Sequence, residues 1–229
     1  MKRFGSAILA FLVLLSSVPL DAHADKWNSL IEESGNVLAD IQRMPDQSIP
    51  EDLMRGCSGI AIFPSTISAG FGIGGKYGQG IIMARDEKTG QWMPPAIFTI
   101  AGGSLGWQIG GQATDFVLVI TNRRSVDGIL QGKFKLGADA SVAAGPVGRA
   151  AEASTDIQLK GGILSYSRSR GLFAGAKLEG AVITQHWAGD EEVYGEKLSA
   201  REIMLEGKAK MPESAEKVLN VLNQYPYKK

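Results

Sequence analysis

The chain of 229 residues has a single cysteine, Cys57, and only two histidines, His23 and His186. An intramolecular disulfide is therefore impossible, and a zinc centre of nitrogen and sulfur donors lacks its ligands. Net charge is also missing, with 24 basic side chains against 24 acidic ones. That balance gives no global field for nucleic acid, so any anion site must be a local patch. Beyond residue 24 no apolar run approaches the ~20 residues of a spanning helix, and no low-complexity linker divides the chain. Cys57, beside Gly56 and near Ile60, is expected to act as a small buried apolar residue.

What is present begins with Lys2 and Arg3, an apolar centre from Ala7 to Leu15, and the small-x-small run Ala22-His23-Ala24. This pattern predicts a secretory signal peptide over residues 1–24, with export to the periplasm or the medium. The run lacks a cysteine at the cleavage point, which argues against a lipid anchor. The remaining residues, 25–229, carry 22 basic and 23 acidic side chains and read as one domain.

Asp25 to Met44 has apolar residues at helical steps, Trp27, Leu30, Ile31, Leu38 and Ile41, and predicts an amphipathic helix. A short helix is expected from Pro50 to Arg55, ended by Gly56. From Ile60 to Arg85 the period changes to two. Gly70, Gly72, Gly74, Gly78 and Gly80 share one parity, and Phe71, Ile73, Tyr77 and Ile81 the other, so a bare glycine face admits another backbone layer. Asp86 to Gly90 reads as a hairpin loop and Trp92 to Ala101 as the returning strand. Phe116 to Ile120 is a buried strand, and Asn122 is placed to cap a helix through Leu130. Leu136 to Arg149 is small-residue strand or tight loop. Thr155–Leu159, Ile163–Ser167 and Leu172–Thr184 suggest a three-strand meander, followed by helices around Ala200–Leu205 and Pro212–Gln224. The expectation is an α+β fold: antiparallel glycine-rich β-sheets, as a sandwich or partly closed barrel, flanked by N- and C-terminal helices.

Three motifs were tested against the chemistry they would serve. Gly70 to Gly75 satisfies G-x-G-x-x-G, but Lys76-Tyr77-Gly78 is a poor start for the helix that a dinucleotide site needs. Gly102-Gly103-Ser104-Leu105-Gly106 matches the G-x-S-x-G nucleophile elbow, with His186 downstream. An elbow requires a strand-to-helix turn, whereas this one sits in serial antiparallel strands, so no catalytic residue is assigned and no enzyme is expected. Asp190-Glu191-Glu192 has no calcium-loop spacing. No cofactor or metal is expected.

The basic residues cluster at Arg168 and Arg170, at Arg123 and Arg124, and at Lys133 and Lys135. They are read either as dispersed surface charge or as a convergent patch for phosphate or lipid head groups.

Four segments carry a resemblance: AGFGIGGKYGQG (69–80), GGSLGWQIGGQATD (102–115), KLGADASVAAGPVGR (135–149) and SYSRSRGLFAGAKLEG (165–180). Across Ser68 to Tyr194 the chain resembles the SYLF family, found in bacterial exported proteins and eukaryotic membrane-trafficking proteins. The resemblance implies a lipid-binding domain, with phosphoinositide binding and, in some eukaryotic members, actin binding. For an exported bacterial member the compartment argues against actin and phosphoinositides, leaving phospholipid, another anionic amphiphile or the membrane surface as partner. The alternative is a structural or protein-interaction role in the envelope without a specific lipid. Lipid binding, which the family resemblance implies, has two candidate surfaces in this chain. In one, Arg168 and Arg170, with Lys76, receive a phosphate head group while Leu172 and Phe173 touch the acyl boundary. In the other, Trp27 and the apolar face of its helix enter the interface. Glu32, Glu33 and Asp40 on that helix disfavour anionic bilayers, so the arginines are preferred.

Overall fold

The computed structural model describes residues 21–44, 48–147, 162–169 and 172–228, with the backbone alone for 21–24, 69–73 and 104–111. Residues 1–20 of the expected signal peptide, the strand expected at Thr155–Leu159, and Arg170 lie outside that set. Helix α1, Asp21–Gln42, is the expected amphipathic helix, begun at Asp21. Its Trp27, Ile31, Leu38 and Ile41 are buried, each worth about 1.5–3 kcal/mol when fully withdrawn from water. Gly35 inside this helix has a packing reason: a Cβ there would stand 2.8 Å from the backbone nitrogen of Val218. The short helix α2, Glu51–Gly56, follows Pro50 as expected.

Strand β1, Gly59–Ala84, and strand β2, Ala96–Ile120, form an antiparallel ribbon from Gly59 opposite Ile120 to Ile82 opposite Ala96. The expected hairpin loop at Asp86–Gly90 joins them, held by the Asp86 carboxylate accepting from the Lys88 and Thr89 amides. The sequence reading split β2 into two strands. The glycine-dotted stretch from Ala101 to Asp115 is instead its middle, because glycine interrupts an apolar period without interrupting the backbone ladder.

A straight strand of this length would run about 85 Å, far beyond the ~17 Å radius of gyration of a domain this size. The ribbon therefore bends. A Cβ on Gly80 would fall 2.1 Å from the carbonyl oxygen of Ile62 and 2.7 Å from Cα of Phe63. The two ends of β1 consequently lie against each other, with the face bearing Gly78 and Gly80 on the concave side. Halfway along, between Gly70 and Gly72, the register slips so that three residues of β2 oppose one of β1. Bulges bend and twist a strand, and this slip marks the elbow of the ribbon. A second bulge, at Pro64-Ser65, exchanges the faces: Ile60 and Ile62 share a layer with Ile81 and Met83, whereas Ala61 and Phe63 share one with Ile82 and Ala84.

After β2 comes helix α3, Arg123–Ile129, whose Asn122 side chain accepts from the Ser125 amide as the sequence predicted. Strands β3, Lys133–Lys135, β4, Val142–Ala144, β5, Ile163–Ser169, β6, Leu172–Gly175, and β7, Val182–Gln185, complete a seven-stranded sheet among the described residues. The free edge of β2 takes β5 at one end, opposite 115–120, and β7 at the other, opposite 98–101. The expected meander is corrected here. β5 and β6 form a hairpin, but Leu172–Thr184 breaks at a turn around Gly180, and β7 pairs with β2 and β3. One pair, β4 with β5, is parallel.

Helix α4, Trp187–Tyr194, had no expectation; helix α5, Ala200–Met204, opens with the capping box of Ser199 and Glu202. A 3₁₀ turn at Glu213–Ala215 leads into helix α6, Glu216–Leu222. The fold is thus α+β, a curled antiparallel-rich sheet with helices at both chain ends. The convex layer is sealed by α1, α2 and α6, and the concave layer is filled by α3, α5 and the side chains of β3 and β7.

Candidate functional site

Of the six residues expected at a lipid surface, Arg170 lies outside the described residues, and the other five fall into different environments. Trp27 is not at an interface: it is 3% exposed. Its Nε1 donates to Glu192 at 2.7 Å, and its ring packs on His186 at 4.5 Å between centroids. The apolar face of α1 is consumed in covering the sheet, because that face is the only side of α1 directed at the convex layer.

Arg168 is likewise committed. Its Nε and Nη2 both reach Oδ2 of Asp115 at 2.8 Å, and Nη1 reaches Asp40 at 2.9 Å. Asp115 also accepts from the Ser65 amide at 2.9 Å, and Ser65 holds a positive φ of 47°. Few residues other than glycine adopt that conformation. The arginine therefore pins the Pro64-Ser65 bulge to α1, its charge answered by two carboxylates. Phe173 is 5% exposed and stacks on Tyr166 at 5.4 Å with 7° between the planes. It is core, not acyl boundary.

Two of the expected residues stay available. Leu172, at the β5–β6 hairpin, is 73% exposed. Lys76 is half-buried on the concave face, its ammonium 5.4 Å from the Phe116 ring, and no carboxylate lies within ion-pairing distance among the described residues. Burial holds the Lys76 ammonium below its ordinary pKa. The hairpin is tied to the ribbon near the elbow, since Ser169, paired with Leu172, accepts a hydrogen bond from Gln112.

The sequence reading missed two neighbours, Ile67 at 59% and Tyr77 at 55% exposure. By strand alternation both share the α1 side of the ribbon, but lie toward the elbow. Their alternation with glycine was visible; their exposure was not, because nothing local tells where α1 stops covering the strand. The elbow side of the ribbon thus carries exposed Ile67 and Tyr77 on one face and, on the other, exposed Leu172 and a half-buried Lys76 with no ion pair among the described residues.

The catalytic motifs resolve into backbone. Ser104 pairs with Gly74 inside the ladder, and Gly102 to Gly106 continue as strand, which is not the strand-to-helix turn of a nucleophile elbow. Gly70 to Gly75 are also strand. His186 caps α4, its Nδ1 accepting from the Gly189 amide at 2.9 Å. Arg123 lies 3.5 Å from Asp127, and Arg124 and Lys133 share a cleft with Asp127 and Asp139, a mixed rather than a basic surface.

Comparison with known proteins bears on this arrangement. A family model described as "Ysc84: Las17-binding protein actin regulator" matches residues 101–225. The chain belongs to the Ysc84, or SYLF, family. It is 36% identical over 180 residues to Protein YSC84 of Saccharomyces cerevisiae, covering 77% of this chain and 38% of the yeast protein. To SH3 domain-containing YSC84-like protein 1 of Homo sapiens it is 32% identical over 210 residues, 91% of this chain and 60% of the human protein. LAS seventeen-binding protein 3 of Saccharomyces cerevisiae is 36% identical over 180 residues, 77% of this chain and 39% of that protein. The chain therefore spans about two to three fifths of these relatives. The family description names actin regulation, not a reaction.

Proposed function

We propose that this SYLF-family chain is a non-enzymatic, exported lipid-binding module of a bacterial envelope, taking phospholipid or another anionic amphiphile at its elbow side. The observation that carries this reading is the contrast among the expected contact residues. Arg168 and Trp27 are spent inside the fold, whereas Lys76 has no ion pair among the described residues and shares its face of the sheet with the exposed Leu172; Ile67 and Tyr77 present apolar surface on the opposite face of the same ribbon. A cation that shares a face with an exposed apolar side chain suits an amphiphile, whose anion and chain are adjacent. Liposome flotation tests it. Wild-type protein is expected to float with anionic vesicles at low salt and less at high salt, since exposed charges are screened over ~8 Å at physiological ionic strength. Lys76→Glu and Leu172→Asp are expected to lose flotation while remaining folded. Folded wild-type protein that floats with no vesicle and extracts no lipid overturns the reading.

A second reading rests on the relatives' names, which describe Las17-binding and SH3-containing proteins. Under it the module is an envelope protein-interaction domain. Wild-type protein that captures a defined envelope protein, with Lys76→Glu having no effect on lipid, would put this reading first.

A further inference from the structure

Away from the elbow, the hairpin loop and the C-terminal segment enclose a cleft of about 730 Å³. Its walls include Arg85, Lys88, Trp92, Tyr225, Pro226 and Tyr227; the full lining holds two cations and no carboxylate. Arg85 is 1% exposed. Its Nη2 donates to the carbonyls of Met54 at 3.1 Å and Tyr225 at 2.7 Å, and Nη1 to that of Arg55 at 3.3 Å. The guanidinium lies 4.5 Å from the Trp92 ring and 5.3 Å from that of Tyr227. No acidic side chain is within ion-pairing distance among the described residues. The nearby Asp86 carboxylate faces the Lys88 and Thr89 amides, and the Cys57 thiol, pushed up to about 11 chiefly by burial, is neutral.

Carbonyls and rings soften a buried guanidinium but leave its net charge in place. Two donors remain unanswered at the same spot, Arg85 Nε and Trp92 Nε1, both buried and without an acceptor. An unmet buried donor carries a desolvation cost that an acceptor would relieve. The volume lies within the range of small-molecule sites, which combine apolar walls with a few convergent polar groups.

We propose that this cleft binds a small organic anion, a carboxylate or phosphate attached to a flat ring. Lys88 and the Trp92 N–H take the anion in the field of Arg85, and the ring lies against Tyr227. Both unmet donors are buried atoms of residues that line the cleft, so the acceptor reaches Trp92 by displacing neighbouring lining side chains, the Tyr227 ring among them. That ring packs tightly on Gly90, where a Cβ would stand 2.7 Å from Cβ of Tyr227.

The test uses the full, isotope-labelled chain, with the Trp92 indole N–H resonance assigned by its loss in Trp92→Phe. Phenyl phosphate and benzoate are expected to move that resonance saturably, and inorganic phosphate more weakly. Lys88→Glu, at an exposed loop position, is expected to stay folded and to weaken phenyl phosphate by about tenfold or more. Binding is also expected to slow hydrogen exchange at Lys228, whose amide donates to the Arg55 carbonyl beside the cleft. A Trp92 resonance that none of the three probes moves, or that moves equally in Lys88→Glu, overturns the site. Equal affinity for inorganic and phenyl phosphate overturns the ring contact.

Discussion

The closed end of the ribbon and its elbow are built from the same two strands, yet treat their side chains oppositely. At the closed end both faces are covered, and buried charged groups are held by several hydrogen bonds, even though Arg85 Nε and Trp92 Nε1 are left without an acceptor. Arg85 binds three carbonyls, and Asp190 accepts from the Ile97 amide and from Gln185, each at 2.7 Å. Toward the elbow Ile67, Tyr77 and Leu172 are exposed, and Lys76 has no ion pair among the described residues. One continuous ladder thus supplies a rigid, closed half and a half with surface to spare. Stability should be concentrated in the first and lipid binding in the second.

The largest effect is expected from Arg85→Ala. It would take the guanidinium donor from the carbonyls of Tyr225, Arg55 and Met54, the last of which keeps only the weak Cys57 thiol bond, and leave a void beside Trp92, lowering stability by about 3–5 kcal/mol. A denaturant midpoint within the range of surface substitutions, about ±0.5 kcal/mol, would break the comparison at its strongest point. Gly80→Val comes next, costing at least about 1–3 kcal/mol by overpacking, since the intruding Cβ would meet backbone. Gly103→Ala is its control: nothing lies within 4 Å of a Cβ there, and no comparable overpacking is expected.

Asp190 makes the closed end pH-sensitive. Burial pushes its carboxyl up to about 7, against the pull of its two donors. The folded state then binds a proton that the unfolded state releases near pH 4. The contribution of this group to stability therefore falls as pH rises from about 4 to 7. Melting curves over that range should show the decline in wild type and a flatter profile in Asp190→Asn. An identical slope in both would remove Asp190 as its source. Arg168→Ala, partly exposed, is expected to cost about 1 kcal/mol and to loosen the Pro64-Ser65 bulge. The smallest change in stability, within about 0.5 kcal/mol, is expected for Lys76→Ala and Leu172→Ala. If either unfolds the protein as Arg85→Ala does, the elbow is structural rather than free.

Much of this organisation was legible because it is local. The α1 period, the Asn122 cap and the Asp86–Gly90 loop each depend on residues a few positions apart. Helix α4 was not, since its cap is His186 rather than one of the common hydroxyl or carboxylate caps. The site was the least legible. Arg168 looked free in a hairpin, but its partners Asp115 and Asp40 stand 53 and 128 positions away. Trp27 looked like a membrane anchor until Glu192, 165 positions distant, met its indole. Charge availability is a property of the folded neighbourhood, and a single sequence carries no distance between such partners.

The bulge at Pro64-Ser65 sets the phase of the first strand. It makes a one-residue length change there unlike a change in any exposed loop. The strand carries one residue more than a plain ladder can hold, and the bulge absorbs it. Deleting Ser65 would leave Pro64 alone opposite Asp115, with Phe63 still paired to Phe116 and Ile62 to Val117, so every side chain keeps its compartment. What the deletion removes is the extra local twist of the bulge and the Ser65 amide that donates to Asp115. The fold should therefore survive the loss of this residue, at the cost of the tie between the bulge and the first helix.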